Sequence, residues 1–207
     1  MAKIVCTIQR LDHFDEASFR QYYESNHAPL ALQYMPFTRY ARSYPVEGTG
    51  EGLGFDVIPE FWLEDPSAVG TILSGPAGKI LAEDEARFFH RDRVAAAPVD
   101  EFILARPNIE MGSVRRRKLL LLRAEASRRE AIRGAAFDYA CSFSRPGREL
   151  VVDFVTAVNE PAFPADIVVW TEASVEPPAP TGGLSLWKMI EVETAETAAD
   201  KLIPVPA

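Results

Sequence analysis

Phe19-Arg20-Gln21-Tyr22-Tyr23-Glu24-Ser25-Asn26-His27-Ala28-Pro29-Leu30 is the stretch on which the reading of this chain turns. Phe19, Tyr22 and Tyr23 recur at the three-to-four spacing that puts side chains on one face of a helix. Pro29 biases Ala28 away from the helical region, so the helix is expected to stop near Asn26 or His27. His27 would then stand at the negative end of the helix dipole, which favours its protonated form. An imidazole placed there among aromatic rings suits proton transfer. It equally suits capping the last carbonyls of the helix.

Working outward, residues 3–10 alternate Ile4, Cys6 and Ile8 against Val5, Thr7 and Gln9, the pattern of a strand. Asp12 or Asp15 can cap the helix that follows. Residues 37–46 form a second strand, with Tyr40, Arg42 and Tyr44 on one face. Gly48, Gly50, Gly52 and Gly54 join two strand-like segments rather than a strand to a helix. A mobile hairpin is therefore preferred to a phosphate-binding loop. In residues 55–63, Asp56, Ile58, Glu60 and Trp62 share one face, which suits a pocket wall. Phe55, Val57, Phe61 and Leu63 share the other. Asp65-Pro66-Ser67 starts a helix, and Gly75-Pro76 breaks and restarts it. The restarted helix sets Ile80, Asp84 and Phe88 on one line, so Asp84 needs an internal partner, a pocket or water. Residues 97–106 are a fourth strand.

A second unit begins near Arg117. Residues 118–125, 150–158, 166–174 and 184–192 read as strands, with one helix, capped by Ser127, after the first of them. Pro177-Pro178-Ala179-Pro180-Thr181-Gly182-Gly183 stands where a second helix would be. The tail from Glu193, with Pro204 and Pro206, reads as a short helix and an extended arm. The fold class is thus α+β: two ferredoxin-like repeats, β-α-β-β-α-β over residues 1–110 and a degenerate β-α-β-β-β over 111–207. Each four-stranded sheet has one bare face, which must be buried.

The pattern Phe19-x-x-Tyr22-Tyr23-x-x-x-His27-x-Pro29-Leu30 resembles the signature of the EthD family, within the dimeric α/β-barrel superfamily. Phe55-Asp56-Val57-Ile58-Pro59-Glu60-Phe61-Trp62 is similar to the family's third strand. Ser74-Gly75-Pro76 and Ala82-Glu83-Asp84-Glu85-Ala86-Arg87-Phe88 are similar to its second helix. The resemblance spans roughly residues 1–106. It implies that two sheets pack bare face to bare face into a barrel. Here the two halves of one chain would do so as an internal pseudo-dimer, with a homodimer as the other possibility.

Several classes of function are disfavoured by composition. A net charge of −8 argues against a nucleic-acid partner, which needs a basic face. Arg115-Arg116-Arg117-Lys118 is expected to be a solvated strand entry or linker. Cys6 and Cys141 lie in apolar segments and are expected to be buried thiols. Three histidines without clustered ligands point away from a metal, and the glycines do not form a dinucleotide fingerprint. No cofactor is expected. No apolar run approaches the ~20 residues that span a bilayer. With no signal-like start, the expected location is cytoplasmic and the expected contact with membranes none.

The expected site is an enclosed, mostly apolar cavity between the two sheets, suited to a small hydrophobic or aromatic molecule. His27 is the candidate general acid or base. Tyr23, Tyr40, Arg42, Asp56, Glu60, Trp62, Asp84 and Phe88 are the candidate wall, with Asp84 able to orient the imidazole. His13 and His90 lack supporting groups and are expected at the surface. The family resemblance implies a cofactor-independent lyase, decarboxylase or isomerase acting on a small aromatic or polyketide-like substrate. The alternative it implies is a non-catalytic small-molecule-binding or accessory protein of a catabolic or biosynthetic operon.

Overall fold

The computed structural model describes residues 1–106, 112–125 and 131–202 of the chain. The proposed cap Ser127, the division at residues 110/111 and the prolines of the tail lie outside the described residues. The strands are β1 (Ala2–Thr7), β2 (Phe37–Pro45), β3 (Ile58–Leu63), β4 (Ala95–Ala105), β5 (Val114–Ala124), β6 (Leu150–Val155), β7 (Ile167–Glu172) and β8 (Leu184–Glu196). Between β1 and β2 run α1 (Glu16–Tyr22), a π-helical turn (Tyr23–His27) and α2 (Ala28–Tyr34). Helices α3 (Ser67–Ser74) and α4 (Pro76–Glu85) join β3 to β4, and α5 (Ile132–Ser142) joins β5 to β6.

Local chemistry sets these boundaries. The Asp15 carboxylate accepts from Ser18 N at 2.7 Å and caps α1. Asp65 accepts from Ser67 N at 2.8 Å ahead of α3. Gly75 is extended between α3 and α4, with Pro76 opening the second helix. β5 and β8 are longer than alternation suggests because they pair from Val114↔Ala195 to Ala124↔Leu184, a match no single strand reveals.

The strands close into an antiparallel barrel in the order β1-β3-β2-β8-β5-β7-β6-β4. The first four strands stand as β4-β1-β3-β2 and the last four as β8-β5-β7-β6. The seams between these groups are the β2–β8 and β4–β6 pairings. Both sheets thus turn a face inward, and the fold is α+β around a closed eight-stranded barrel.

An eight-stranded barrel leaves just enough interior for side chains to fill. The lumen holds Val5, Ile58, Val99, Leu119, Leu121, Val168 and Ile190 among other apolar groups. It also holds buried charge, since Glu60, Lys3 and Asp153 pair directly with Val5, Val99 and Val168. Lys3 Nζ lies 2.7 Å from Asp153 Oδ2 and 3.0 Å from Glu101 Oε1. It is also 2.9 Å from Glu60 Oε1, without hydrogen-bond alignment. Arg117 reaches across from β5 to Glu60 on β3 and stacks at 4.0 Å over Trp170. Trp170 Nε1 donates to Asp153 at 2.7 Å, and Trp62 Nε1 to Glu101 at 3.0 Å.

This interior corrects two expectations. The basic run is not a solvated entry: Arg117 is 2% exposed and Lys118 4%, because alternate residues of β5 turn inward or beneath neighbouring segments. The lumen is occupied by these side chains, so the expected hollow between the sheets is not where the cavity lies. Cys6 is buried as expected, but Cys141 is exposed. It lies on α5 away from the face formed by the buried residues Ile132, Ala136 and Tyr139.

Outside the barrel, α1, α2 and α4 cover β1, β2 and β3 through Phe19, Tyr23, Ala31, Tyr40, Val57, Leu63, Leu81 and Phe88. The helix α5 covers β5, β6 and β7 through Ile132, Ala136, Leu120, Val152 and Val169.

Candidate functional site

The helix through the opening stretch does not stop at His27. Ala28 stays helical (φ −61°, ψ −45°), and its N–H bonds to the Tyr23 carbonyl five residues back. Pro29 has no N–H, so the Ser25 carbonyl has no helical partner there, and its ring would crowd that carbonyl in a regular α-helix. The wider π turn accommodates both effects, and the helix resumes as α2. His27 is therefore inside a continuous helical path, and the dipole argument for its protonated form does not apply.

What the turn does is aim His27 inward. His27 is 6% exposed and packs at 5.0 Å from Phe88, 5.1 Å from Tyr23 and 6.1 Å from Phe89, centroid to centroid. Its Nδ1 lies 2.9 Å from Asp84 Oδ2. The other Asp84 oxygen accepts from the Tyr22 hydroxyl at 2.8 Å. A carboxylate only accepts, so His27 Nδ1 is the donor and the neutral ring keeps its Nε2 lone pair free. Asp84 thus has the internal partners its burial demands. Ile80, one turn before it on α4, is 42% exposed, so the stripe they share is buried only toward Asp84; Leu81 packs inward beside it.

Beside His27 is a cavity of about 350 Å³ between the outer sheet face and the helices. Ile4, Cys6 and Ile8 of the β1 segment, Tyr40 of β2 and Phe61 of β3 form its sheet side. Tyr23, His27, Ala31, Val69 and Leu81 form its helix side, with Glu85 and Arg91 also in the wall. The Tyr40 hydroxyl donates to the Tyr23 oxygen at 2.9 Å. Burial raises the Tyr23 and Tyr40 phenols above their ordinary range; nearby Arg42 works against this without cancelling it. Burial also pushes the Cys6 thiol up to about 12, with the Glu85 charge adding to it. A larger hollow of about 520 Å³ lies between α1 and the 47–54 hairpin, lined by Glu16, Arg20, Gly50 and Asp56 among others, and holds no histidine.

The predicted residues divide by face. Tyr23, His27, Tyr40, Asp84 and Phe88 come together. Arg42 lies behind Tyr40, its guanidinium 4.5 Å from that ring and bound to Glu24 at 2.6 and 3.0 Å. Asp56 pairs with Arg10 near the hairpin and accepts from Arg10 N at 2.8 Å. Glu60 and Trp62 lie in the lumen, separated from the cavity by the thickness of the sheet. These placements correct the expectation that Arg42, Asp56, Glu60 and Trp62 line the same wall as Tyr40. Sequence reasoning missed Tyr22, Glu85 and Arg91. The Tyr22-Tyr23 doublet was the available signal for the first, since consecutive helical residues face different neighbours. His13 is exposed, whereas His90 is half-buried near Asp12.

Among the described residues, no group of three or more His, Cys, Asp or Glu side chains is placed to hold a metal ion. No described helix is long and apolar enough to cross a membrane.

Residues 11–92 match the model of the EthD domain. No functionally curated protein matches the chain. Among solved structures, an anthrone oxidase-like protein aligns with a TM-score of 0.62 at 9% identity, covering 100% of this chain and 97% of its own. A protein provisionally named a monooxygenase from Lactobacillus acidophilus NCFM aligns at 0.53 and 10% identity, covering 94% and 93%. A chlorite dismutase mutant from Candidatus Nitrospira defluvii aligns at 0.50 and 11% identity, covering 97% and 93%. At such identities the likeness is one of fold.

Proposed function

We propose that this chain, whose residues 11–92 match the model of the EthD domain, is a small-molecule enzyme whose cavity lies against the outer face of the first-half sheet. His27 is its general acid and base. The observation that carries this reading is the Tyr22–Asp84–His27 chain, which fixes the imidazole against an apolar cavity of about 350 Å³. An imidazole oriented in this way, with its Nε2 free, is suited to moving a proton to or from carbon, a contribution on the order of 10²–10⁴ in rate. The cavity is sized for a small hydrophobic, aromatic or polyketide-like substrate. The reaction type this supports is a cofactor-independent isomerisation, or a decarboxylation completed by protonation from His27. An accessory binding role, the alternative, needs the cavity but has no use for an imidazole held by a buried carboxylate.

We further infer that residues 1–110 and 111–207 are two ferredoxin-like repeats, the second without its second helix. The matching orders β4-β1-β3-β2 and β8-β5-β7-β6 support this. The first repeat carries the site.

The test is solvent-deuterium exchange at carbon. Small enolisable aromatic ketones and lactones are incubated with the protein in D₂O and followed by NMR. The wild-type chain is expected to catalyse exchange into at least one of them. His27→Gln is expected to abolish it while the thermal melt stays within a few degrees of wild type. Exchange that persists in His27→Gln removes the assigned role.

A further inference from the structure

We propose that Tyr23, backed by Tyr40, binds an oxygen of the ligand, and that the ligand is therefore a small apolar or aromatic carbonyl compound whose oxygen gains negative charge in the reaction. This rests on the reading of His27 above and names the substrate class it acts on.

The Tyr23 hydroxyl oxygen already accepts from Tyr40 at 2.9 Å. Among the described residues, no acceptor takes the proton of Tyr23 itself. A buried hydroxyl proton without an acceptor is costly, and Tyr23 is 1% exposed. The wall around it is mostly hydrocarbon, from Ile4, Ala31, Phe61 and Leu81, so a ligand oxygen is the partner that would satisfy it. Tyr40 is held in turn by its surroundings. Phe61 stacks on its ring at 5.1 Å, and Phe37 packs tilted against it at 5.0 Å. The Arg42 guanidinium stands 4.5 Å from the same ring. Positive charge behind the donor chain strengthens it toward an anion. Both phenols are raised by burial, so they are O–H donors at neutral pH rather than phenolates.

The Tyr23 and His27 rings meet edge to face, 5.1 Å between centroids, and both line the cavity. One small molecule can therefore touch both. With its carbonyl oxygen on Tyr23, the carbon next to the carbonyl is within reach of His27. In an isomerisation, Nε2 takes the proton from that carbon. The C–H electron pair becomes a carbon–carbon double bond, and the carbonyl π pair moves to the oxygen as an enolate held by Tyr23. The imidazolium then returns the same proton to a different carbon of the conjugated system. In a decarboxylation the C–C bond to the carboxylate supplies that electron pair, carbon dioxide leaves, and protonated His27 delivers a proton to carbon. Neither route requires an oxidant or a reductant. Tyr23 touches the substrate in both, and Tyr40 is a positioning residue that acts through it.

The test uses the full chain and two probes: 4-nitrophenol, whose phenolate imitates an enolate oxygen, and 4-nitroanisole, its methyl ether, which cannot ionise. The phenolate absorbs visible light, so the charge state of the bound probe is read directly. Wild-type protein is expected to bind both and to raise the phenolate fraction of the first. Tyr23→Phe is expected to weaken phenolate binding about tenfold, the effect of one charge-assisted hydrogen bond, with nitroanisole affinity unchanged. Tyr40→Phe is expected to weaken the phenolate alone by about threefold, a selectivity that a merely structural role would not produce. An unchanged ratio of the two affinities in Tyr23→Phe overturns the assignment while leaving the cavity in place. Failure of both probes to bind, or binding indifferent to a cavity-filling Ala31→Trp, overturns the cavity reading and this one with it. A lasting phenolate preference without solvent exchange at carbon supports the Tyr23 assignment and counts only against His27.

Discussion

Asp84 commits both of its oxygens, one to the Tyr22 hydroxyl and one to His27, and is 7% exposed. Replacing it by asparagine keeps the shape but removes the charge that steadies an imidazolium formed in the reaction. Asp84→Asn is expected to lower kcat on the order of 10²-fold, with KM nearly unchanged, in steady-state kinetics on any substrate found by the exchange assay. An equal rise in KM would show that the carboxylate binds substrate instead. At this scale the sequence was half legible. An acid amid apolar neighbours announces that it needs a partner, because an unpaired buried charge is costly. Which partner it has depends on groups 57 and 62 positions away, and spacing within one helix cannot report that.

The helical hairpin of α3 and α4 is held together by an absence of side chain. A methyl group at Gly78 would come within 1.9 Å of the Leu73 carbonyl oxygen, and backbone cannot step aside as a flexible side chain can. Val69 and Leu73 of α3 and Leu81 and Glu85 of α4 all line the cavity, so spreading the hairpin reshapes it. Gly78→Ala is expected to destabilise the fold by about 1–3 kcal/mol, read from urea unfolding, and to loosen ligand binding in parallel. A variant as stable as wild type would show that the two helices slide freely. Strand alternation was well legible at this scale. It separated Tyr40 from Ser43, and Phe61 from Glu60, because a side-chain period of two survives any register. It could not say which face meets the helices and which meets the lumen. By alternation the polar set Glu60 and Trp62 reads as a pocket wall, whereas it belongs to the buried charged network inside the barrel. The π turn was illegible for a different reason: the rule that proline ends the helix before it assumes α geometry, and a wider turn sidesteps the clash.

For the molecule as a whole, the buried charges of the lumen tie stability to pH. Burial pushes the Asp153 carboxyl up to about 6 from an ordinary 3.8, with Lys3 offsetting part of this and Glu60 adding to it. Burial would also raise Glu60, but Arg117 and Lys3 more than offset it and hold that carboxyl at about 2 against an ordinary 4.5. The two groups act in opposite senses. The raised Asp153 favours the folded state below its unfolded value, and that advantage is lost as pH rises from about 4 to about 6. The lowered Glu60 favours the folded state above its unfolded value, and that advantage is lost as pH falls from about 4.5 to about 2. Denaturant unfolding of wild type is expected to show a decline of up to about 3 kcal/mol from Asp153 between pH ~4 and ~6. Asp153→Asn is expected to flatten that limb whatever its effect on the absolute value; an identical slope would mean that Asp153 does not titrate there. None of this network was legible from the chain, since Arg117 and Glu60 sit on strands that are not neighbours in the barrel. The two hydrogen-bonded seams carry one last implication. When a ring of strands is completed by a pair of identical polypeptides, every substitution is made twice, once on each side. Here β2–β8 and β4–β6 complete it within a single polypeptide, so each side answers for its own residues. The flank under α5 is thereby free to change its covering without costing the opposite flank its imidazole.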